Sequence, residues 1–197
     1  MSAESHPVLL VLSGPSGAGK TTVTQRLLSG NERLARVVTC TTRIPREGEI
    51  DGVDYHFLSD EEFKRRAEAA EFLEHAEVYG KRYGTMKSAV CEILASGRDV
   101  LLVNDVQGAM TISTMADQDA ELKEALTTVC LMTGGGEELR KRLKSRDADD
   151  LEVIEKRLAI AEVEMKQKDR FNHVVVSGTR EEDWQRVQAI YNSAKSG

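Results

Sequence analysis

The stretch Gly14-Pro15-Ser16-Gly17-Ala18-Gly19-Lys20-Thr21 limits the possible folds of this chain more than any other. It matches G-x-x-x-x-G-K-[ST], follows the apolar run Val8 to Leu12, and opens a helical pattern, which is the strand-then-helix context the motif requires. Glycines let the backbone wrap a polyphosphate and turn successive N–H groups inward, while the following helix lends the positive end of its dipole. Lys20 is placed to neutralise outer phosphates, and the Thr21 hydroxyl is a candidate magnesium ligand. The loop is expected to hold a nucleoside triphosphate.

The apolar runs Val8 to Leu12, Val100 to Val103, Val129 to Met132 and Val174 to Val176 read as buried parallel strands, with Val37 to Thr39 as a shorter fifth. Helical patterns lie between them: one after the phosphate loop that stops at a C′ glycine, Gly30, then Met86 to Ala95 and Val106 to Met115. The apolar stripe Leu151, Ile154, Leu158, Ala161, Met165 marks another helix, and a last one runs from Glu181 to about Ser193. This alternation specifies an α/β fold with a parallel five-stranded sheet and flanking helices. Residues from about Thr41 to Tyr83 break it and read as an insertion, a small mixed β subdomain. Asp51-Gly52 is a hairpin signal before alternating Val53, Tyr55 and Phe57. Ser59 and Glu62 fit a capping box for a helix through Ala70, Phe72 to Val78 fits a strand, and Gly80 turns the chain toward Tyr83.

With 197 residues, one domain with inserted subdomains is expected. The formal net charge of −6 argues against general affinity for nucleic acid or anionic membrane, so any phosphate must be met by locally gathered Arg and Lys. Cys40, Cys91 and Cys130 have no metal spacing and read as reduced thiols of a cytoplasmic protein; His6, His56, His75 and His173 are too scattered for a metal site. Met1 to Pro7 is polar and lacks a signal-peptide core, and no apolar stretch reaches membrane-spanning length.

Three further clusters bear on chemistry. In Thr41-Thr42-Arg43-Ile44-Pro45-Arg46 the proline favours an extended turn that puts Arg43 and Arg46 on one side, a clamp for a phosphate or carboxylate; two solvated arginines are the plainer alternative. On its strand Glu74 is expected to share a face with Phe72, Ala76 and Val78. A carboxylate there costs several kcal/mol by rough estimate unless an Arg, a Lys or a ligand satisfies it. It would suit the adjacent N–H donors of guanine, although spacing alone favours a structural partner. In Glu138 to Arg146, Glu138 and Arg142 form an i,i+4 pair on a solvated face, but the like-charged Arg142 and Arg146 are also four apart, which an anion between them would explain.

Taken together, Gly14 to Thr21, Thr41 to Glu49, Gly52 to Phe57, Glu71 to Ala76, Tyr83-Gly84-Thr85 and Asp105 to Ala109 resemble guanylate kinases in order and spacing. The resemblance implies a P-loop NTPase-type core (residues 7–36, 86–132 and 169–197), a GMP-binding subdomain (about 37–85) and a helical lid (about 133–168). It implies ATP on Gly14, Pro15, Ser16, Gly17, Ala18, Gly19, Lys20, Thr21 and Thr22, and GMP on Thr39, Arg43, Arg46, Tyr55, Glu74, Tyr83, Thr85 and Asp105. Arg43, Arg46, Tyr55 and Tyr83 would hold the phosphate and Glu74, Thr85 and Asp105 the base. Lys20 and Arg43, with the lid arginines Arg142, Arg146 and Arg157, would be catalytic; Mg2+ would accompany ATP, with dGMP a further possible acceptor. Scaffold domains that grip phosphorylated partners share the GMP-binding half, but the intact Gly19-Lys20-Thr21 and the three lid arginines favour the enzyme. The chain departs from the family at Val103, where an acidic residue is usual two positions before Asp105, at Thr133-Gly134-Gly135-Gly136, and at Ser177-Gly178. These departures imply looser ATP binding with activity retained.

Overall fold

The computed structural model describes residues 6–78, 80–134, 139–140 and 151–196, and of residues 151–157 only the side chain of Glu155. In chain order the described strands are β1 (Leu9–Ser13), β2 (Leu34–Arg36), β3 (Cys40–Thr41), β4 (His56–Phe57), β5 (Phe72–Val78), β6 (Lys81–Met86), β7 (Asp99–Val103), β8 (Leu126–Met132) and β9 (His173–Val176). The described helices are α1 (Lys20–Gly30), α2 (Asp60–Glu68), α3 (Lys87–Ala95), α4 (Val106–Ala116), α5 (Ala120–Ala125), α6 (Leu151–Met165) and α7 (Arg180–Ala194).

Because side chains alternate along a strand, the apolar runs feed two cores at once. Leu9, Val11, Val100, Leu102 and Cys130 pack on one side with α3, α4 and α5. Leu10, Leu12, Leu101, Val129, Leu131 and Val175 pack on the other with α1 and α7. Between these cores lies a five-stranded sheet in the order β2-β7-β1-β8-β9, with every pairing parallel. β1 is central, in register with β7 (Leu9 opposite Val100) and with β8 (Leu9 opposite Leu126).

Three expectations about this sheet need correcting. The fifth strand is Leu34–Arg36, because Val37 to Thr39 carry the chain toward β3 in a different sheet. β9 is an edge strand, so Val174 and Val176 are exposed and only Val175 is buried. Gly30 is the last helical residue of α1 with no left-handed conformation, and Asn31 caps the end, its amide donating to the Leu27 carbonyl at 2.7 Å.

The insertion forms a second, mixed sheet, ordered β4-β3-β6-β5. Asp51-Gly52 does not make a hairpin: β3 and β4 are parallel, and Val53 sits exposed in a turn closed by its N–H to the Ile50 carbonyl. Ser59 caps α2 by accepting from Glu62 N at 3.1 Å, but the Glu62 carboxylate holds Arg65 and Arg66 instead of completing a box; α2 stops at Glu68, and Ala70 is left-handed. Gly80, with φ 71, makes the expected turn into β6.

The foot of the main sheet is tied by one buried carboxylate. Asp99 accepts from Val8 N (2.9 Å), Tyr191 OH (2.5 Å) and Lys195 Nζ (2.6 Å), joining the entry of β1 to the end of α7. The helix α7 starts with a complete capping box between Thr179 and Glu182. Removing the acceptor strands three donors at once. Asp99→Ala is therefore expected to cost roughly 3–5 kcal/mol and to lower Tm by about 10 °C. Calorimetry would check this; a Tm within about 2 °C of the parent would contradict it.

Candidate active site

The strands β1, β7 and β8 end at one edge of the main sheet, and the site is assembled from what leaves that edge. At the end of β1, Gly14 takes φ 139, and a Cβ there would stand 2.0 Å from the Leu131 carbonyl oxygen on β8. Only glycine admits this close approach. Gly19, also left-handed, precedes α1 with no side-chain cap, and no acidic residue occupies the first turn of α1. The N-terminal amides and the dipole of α1 are thus left for an anion. Lys20 Nζ folds back onto the carbonyls of Gly14 and Pro15, the latter at 3.1 Å.

A cleft of about 830 Å³ opens over this loop, lined by Gly14, Ser16, Lys20, Asp105 and Gln107 and, from α6, by Ile160, Val163 and Glu164. Glu164 has its pKa raised by burial and by Asp105, against the opposing pull of Lys20 and the Val106 N–H. Sequence reasoning gave Glu164 no role.

A second cleft, of about 340 Å³, is lined by Thr39, Tyr55, Glu74, Tyr83, Asn104 and Asp105, and it shares Asp105 with the first. Asp105 also caps α4, accepting from Gly108 N at 2.7 Å. Thr85 belongs to the same group through its hydroxyl, which donates to Glu74 Oε1 at 2.7 Å. A β-bulge between Phe72 and Glu74 corrects the expected facing of β5: Phe72 turns away from Glu74 and packs on Phe63, with ring centroids 4.5 Å apart. Glu74 is 6% exposed, and no cation pairs with it among the described residues. Burial, chiefly, pushes its pKa up, with Asp105 adding to the effect while Thr85 and Asn104 oppose it.

At the rim of this cleft the Arg43 guanidinium lies 5.3 Å from the centroid of the Tyr55 ring and makes a two-pronged pair with Glu49, at 2.9 and 2.8 Å. That pairing, reinforced by the Arg46 N–H donating at 2.7 Å, holds the Glu49 carboxyl down at about 2. Arg46 is exposed at the same turn, and its side chain does not line the cleft. In the sequence Glu49 stands out only as a carboxylate six residues after an arginine, across a turn. Arg142 and Arg146 lie outside the described residues. Arg157 falls within α6, its side chain likewise outside them. Ser177 and Gly178 are both engaged by Asp183, at 2.6 and 2.8 Å, while Val103 lines the smaller cleft. Cys40, Cys91 and Cys130 are free; burial pushes Cys40 and Cys130 up to about 11, which suits inert thiols.

A phosphate loop at the carboxyl edge of a parallel sheet, with a second cleft meeting it at one aspartate, defines a P-loop phosphotransferase fold of the nucleoside monophosphate kinase kind. Comparison narrows this. Residues 6–194 match the guanylate kinase family, and the chain belongs to that family. It is 40% identical over 195 residues to a guanylate kinase of Wolbachia sp. subsp. Brugia malayi, covering 99% of this chain and 97% of the relative. Another relative, from Paramagnetospirillum magneticum, is 43% identical over 183 residues, covering 93% and 83%. The crystal structure of guanylate kinase from Anaplasma phagocytophilum superposes with a TM-score of 0.76 at 32% identity, covering 98% of this chain and 88% of that one. No described helix is long and apolar enough to cross a membrane.

The raised pKa of Glu74 makes a stability prediction. A carboxyl whose folded pKa is raised favours the fold while protonated, and that contribution is lost as pH rises through the folded pKa. Glu74→Gln keeps an acceptor for Thr85 and Asn104 without the buried charge. Its Tm is expected to equal or exceed that of the parent at pH 8, with the gain shrinking toward pH 4. A fluorimetric pH–Tm series would check this; a large loss at pH 8 would overturn it.

Proposed function

We infer that the chain catalyses the reaction its family is named for, transfer of the γ-phosphoryl group of ATP to GMP, giving ADP and GDP. The observation that carries this reading is the meeting of two clefts at Asp105. One surrounds a phosphate loop, and the other contains a buried carboxylate that no cation neutralises among the described residues. In this reading ATP lies along Gly14 to Thr22. Thr39, Arg43, Arg46, Tyr55, Glu74, Tyr83, Thr85 and Asp105 take GMP. Residues 7–36, 86–132 and 169–197 act as the core, about 37–85 as the GMP-binding part and about 133–168 as the lid.

The acceptor needs no general base. A phosphate monoester has its second pKa near 6, so its oxygens are already largely ionised at neutral pH. The obstacle is repulsion between two polyanions. Lys20 would leave the Gly14 and Pro15 carbonyls for the triphosphate, while Arg43 and Arg46 would restrain the acceptor phosphate and Arg142, Arg146 and Arg157 would screen the phosphoryl group in flight. Closure of the lid would keep water from intercepting it. Among the described residues no group of three His, Cys, Asp or Glu could hold a metal alone. That donor set fits Mg2+ bound as it usually is beside nucleotides, by one hydroxyl (here Thr21), phosphate oxygens and water. Magnesium so bound would neutralise charge on the β- and γ-phosphates.

Glu74 would read the base, accepting from the ring N–H and the exocyclic amine of guanine. An adenine would set an unprotonated ring nitrogen against this carboxylate. The test is ADP release from ATP and magnesium with GMP or AMP as acceptor. Turnover with GMP and little with AMP is expected; no turnover with GMP, alongside binding of a phosphopeptide, would favour a scaffold role. Lys20→Ala should lower kcat by about 10²–10³-fold with Tm unchanged, and a normal rate would remove Lys20 from the chemistry.

A further inference from the structure

The polar residue Asn104 interrupts the run Val100-Leu101-Leu102-Val103 just before Asp105. Its Nδ2 donates to Glu74 Oε1 at 3.0 Å, the same oxygen that takes the Thr85 hydroxyl at 2.7 Å. Two donors from different elements converge on one carboxylate oxygen, which fixes the plane of the group and leaves Oε2 as the oxygen without a side-chain partner among the described residues. Only one orientation of the amide serves, because the reverse would set two acceptors 3.0 Å apart. A second observation is independent of this one: Asn104 Oδ1 is buried and has no hydrogen-bond partner among the described residues. An orphaned acceptor costs about 1–3 kcal/mol. An apolar side chain continuing the run would avoid that cost, so the stability of the fold does not account for an asparagine here.

We propose that Asn104 is a positioning residue for base selection: it locks Glu74 so that Oε2 faces the two adjacent N–H donors of a guanine-type base. The proposal rests on the reading of Glu74 as the base acceptor. Without the amide, the carboxylate is held by Thr85 alone, through its hydroxyl and its backbone N–H, and loses the one donor that reaches it from the end of β7. One of the two N–H contacts then weakens, and discrimination against a base lacking the exocyclic amine suffers most.

Few other charges bear on Glu74. Asp105 faces it, and Tyr55 and Tyr83 line the same cleft. Helix α4, packed on β5, has no titratable residue, while Lys87 of α3 pairs with Asp119 and Arg66 of α2 with Glu62. His75 lies against Phe63 and Phe72, on the face opposite Glu74. An acid introduced at position 104 would therefore interact with Glu74 and Asp105 in a cleft that no Lys or Arg lines among the described residues.

The experiment compares the parent, Asn104→Leu, Asn104→Asp and Glu74→Gln with GMP, IMP and ATP as varied substrates, across pH 5.5 to 8.5. For Asn104→Leu, kcat/KM with GMP is expected to fall on the order of 10–100-fold, mainly through KM. The GMP-to-IMP preference should narrow, and KM for ATP should hold. For Asn104→Asp, a shared proton between the carboxyls keeps Glu74 bonded at low pH. GMP use is expected to recover toward the parent at pH 5.5 and to collapse by pH 8.5, a profile that also decides the matter should the leucine variant fail to fold. Unchanged GMP-to-IMP preference in Asn104→Leu, or equal losses at all pH values in Asn104→Asp, would overturn the proposal. Normal GMP affinity in Glu74→Gln would instead overturn the reading of Glu74 on which it rests.

Discussion

The placement of the site depends on the closeness of β1 to β8 where the two strands end. Gly14 presses its α-carbon so near the Leu131 carbonyl that no side chain fits. The chain must therefore leave the sheet in a left-handed turn and re-enter as α1 with uncapped amides. The neighbouring strand β7 ends level with β1, Val103 opposite Leu12, so Asn104 and Asp105 emerge beside the loop. The phosphate loop, Asn104 and Asp105 are delivered to one edge by parallel pairing, and the packing of two cores against both faces fixes that edge in place.

Charge is distributed in the same spirit. A chain of net charge −6 cannot attract phosphates by its overall field, so each cation at the site must be local. Two of the described cations are already engaged: Arg43 with Glu49, and Lys20 with two carbonyls of its own loop. Such partners already order these long side chains, so under the proposed function less entropy would be lost when a phosphate replaced the partners. Binding then becomes an exchange of acceptors, with less ordering of free chains. Glu49 gathers the Arg43 fork and the Arg46 N–H at one turn, so one carboxylate positions both the guanidinium of Arg43 and the backbone at Arg46.

The sequence carried the main sheet almost whole, since continuous apolar runs between helical periods have few other interpretations. It failed where a short strand had to be told from the loop beside it: Leu34–Arg36 is three residues long, and Val37 to Thr39 looks more strand-like by composition. It failed again at Val53, where alternation suggested a hairpin but a two-residue parallel pairing of β3 with β4 prevails. The site was legible as residue types at motif spacing, and less so as geometry. No periodicity announces the bulge that turns Phe72 away from Glu74, and a lone asparagine after an apolar strand gives no sign of its partner thirty residues earlier.

That bulge explains how a buried carboxylate persists with no cation paired to it among the described residues. By shifting the register of β5 against β6 it sends Phe72 into a packed aromatic pair with Phe63, anchoring the strand on one face while Glu74 enters the cleft on the other. The anchor compensates locally for a group whose ionisation the fold opposes. Had a lysine neutralised Glu74, the carboxylate would meet an incoming base with its strongest acceptor sites already taken, and a base lacking the right donors would lose little. With the hydroxyl and amide donors both on Oε1, it keeps Oε2 without a side-chain partner among the described residues. If Glu74 reads the base as proposed, its selectivity would come from a cost held in the unliganded protein, because a ligand that cannot relieve that cost gains nothing from entering.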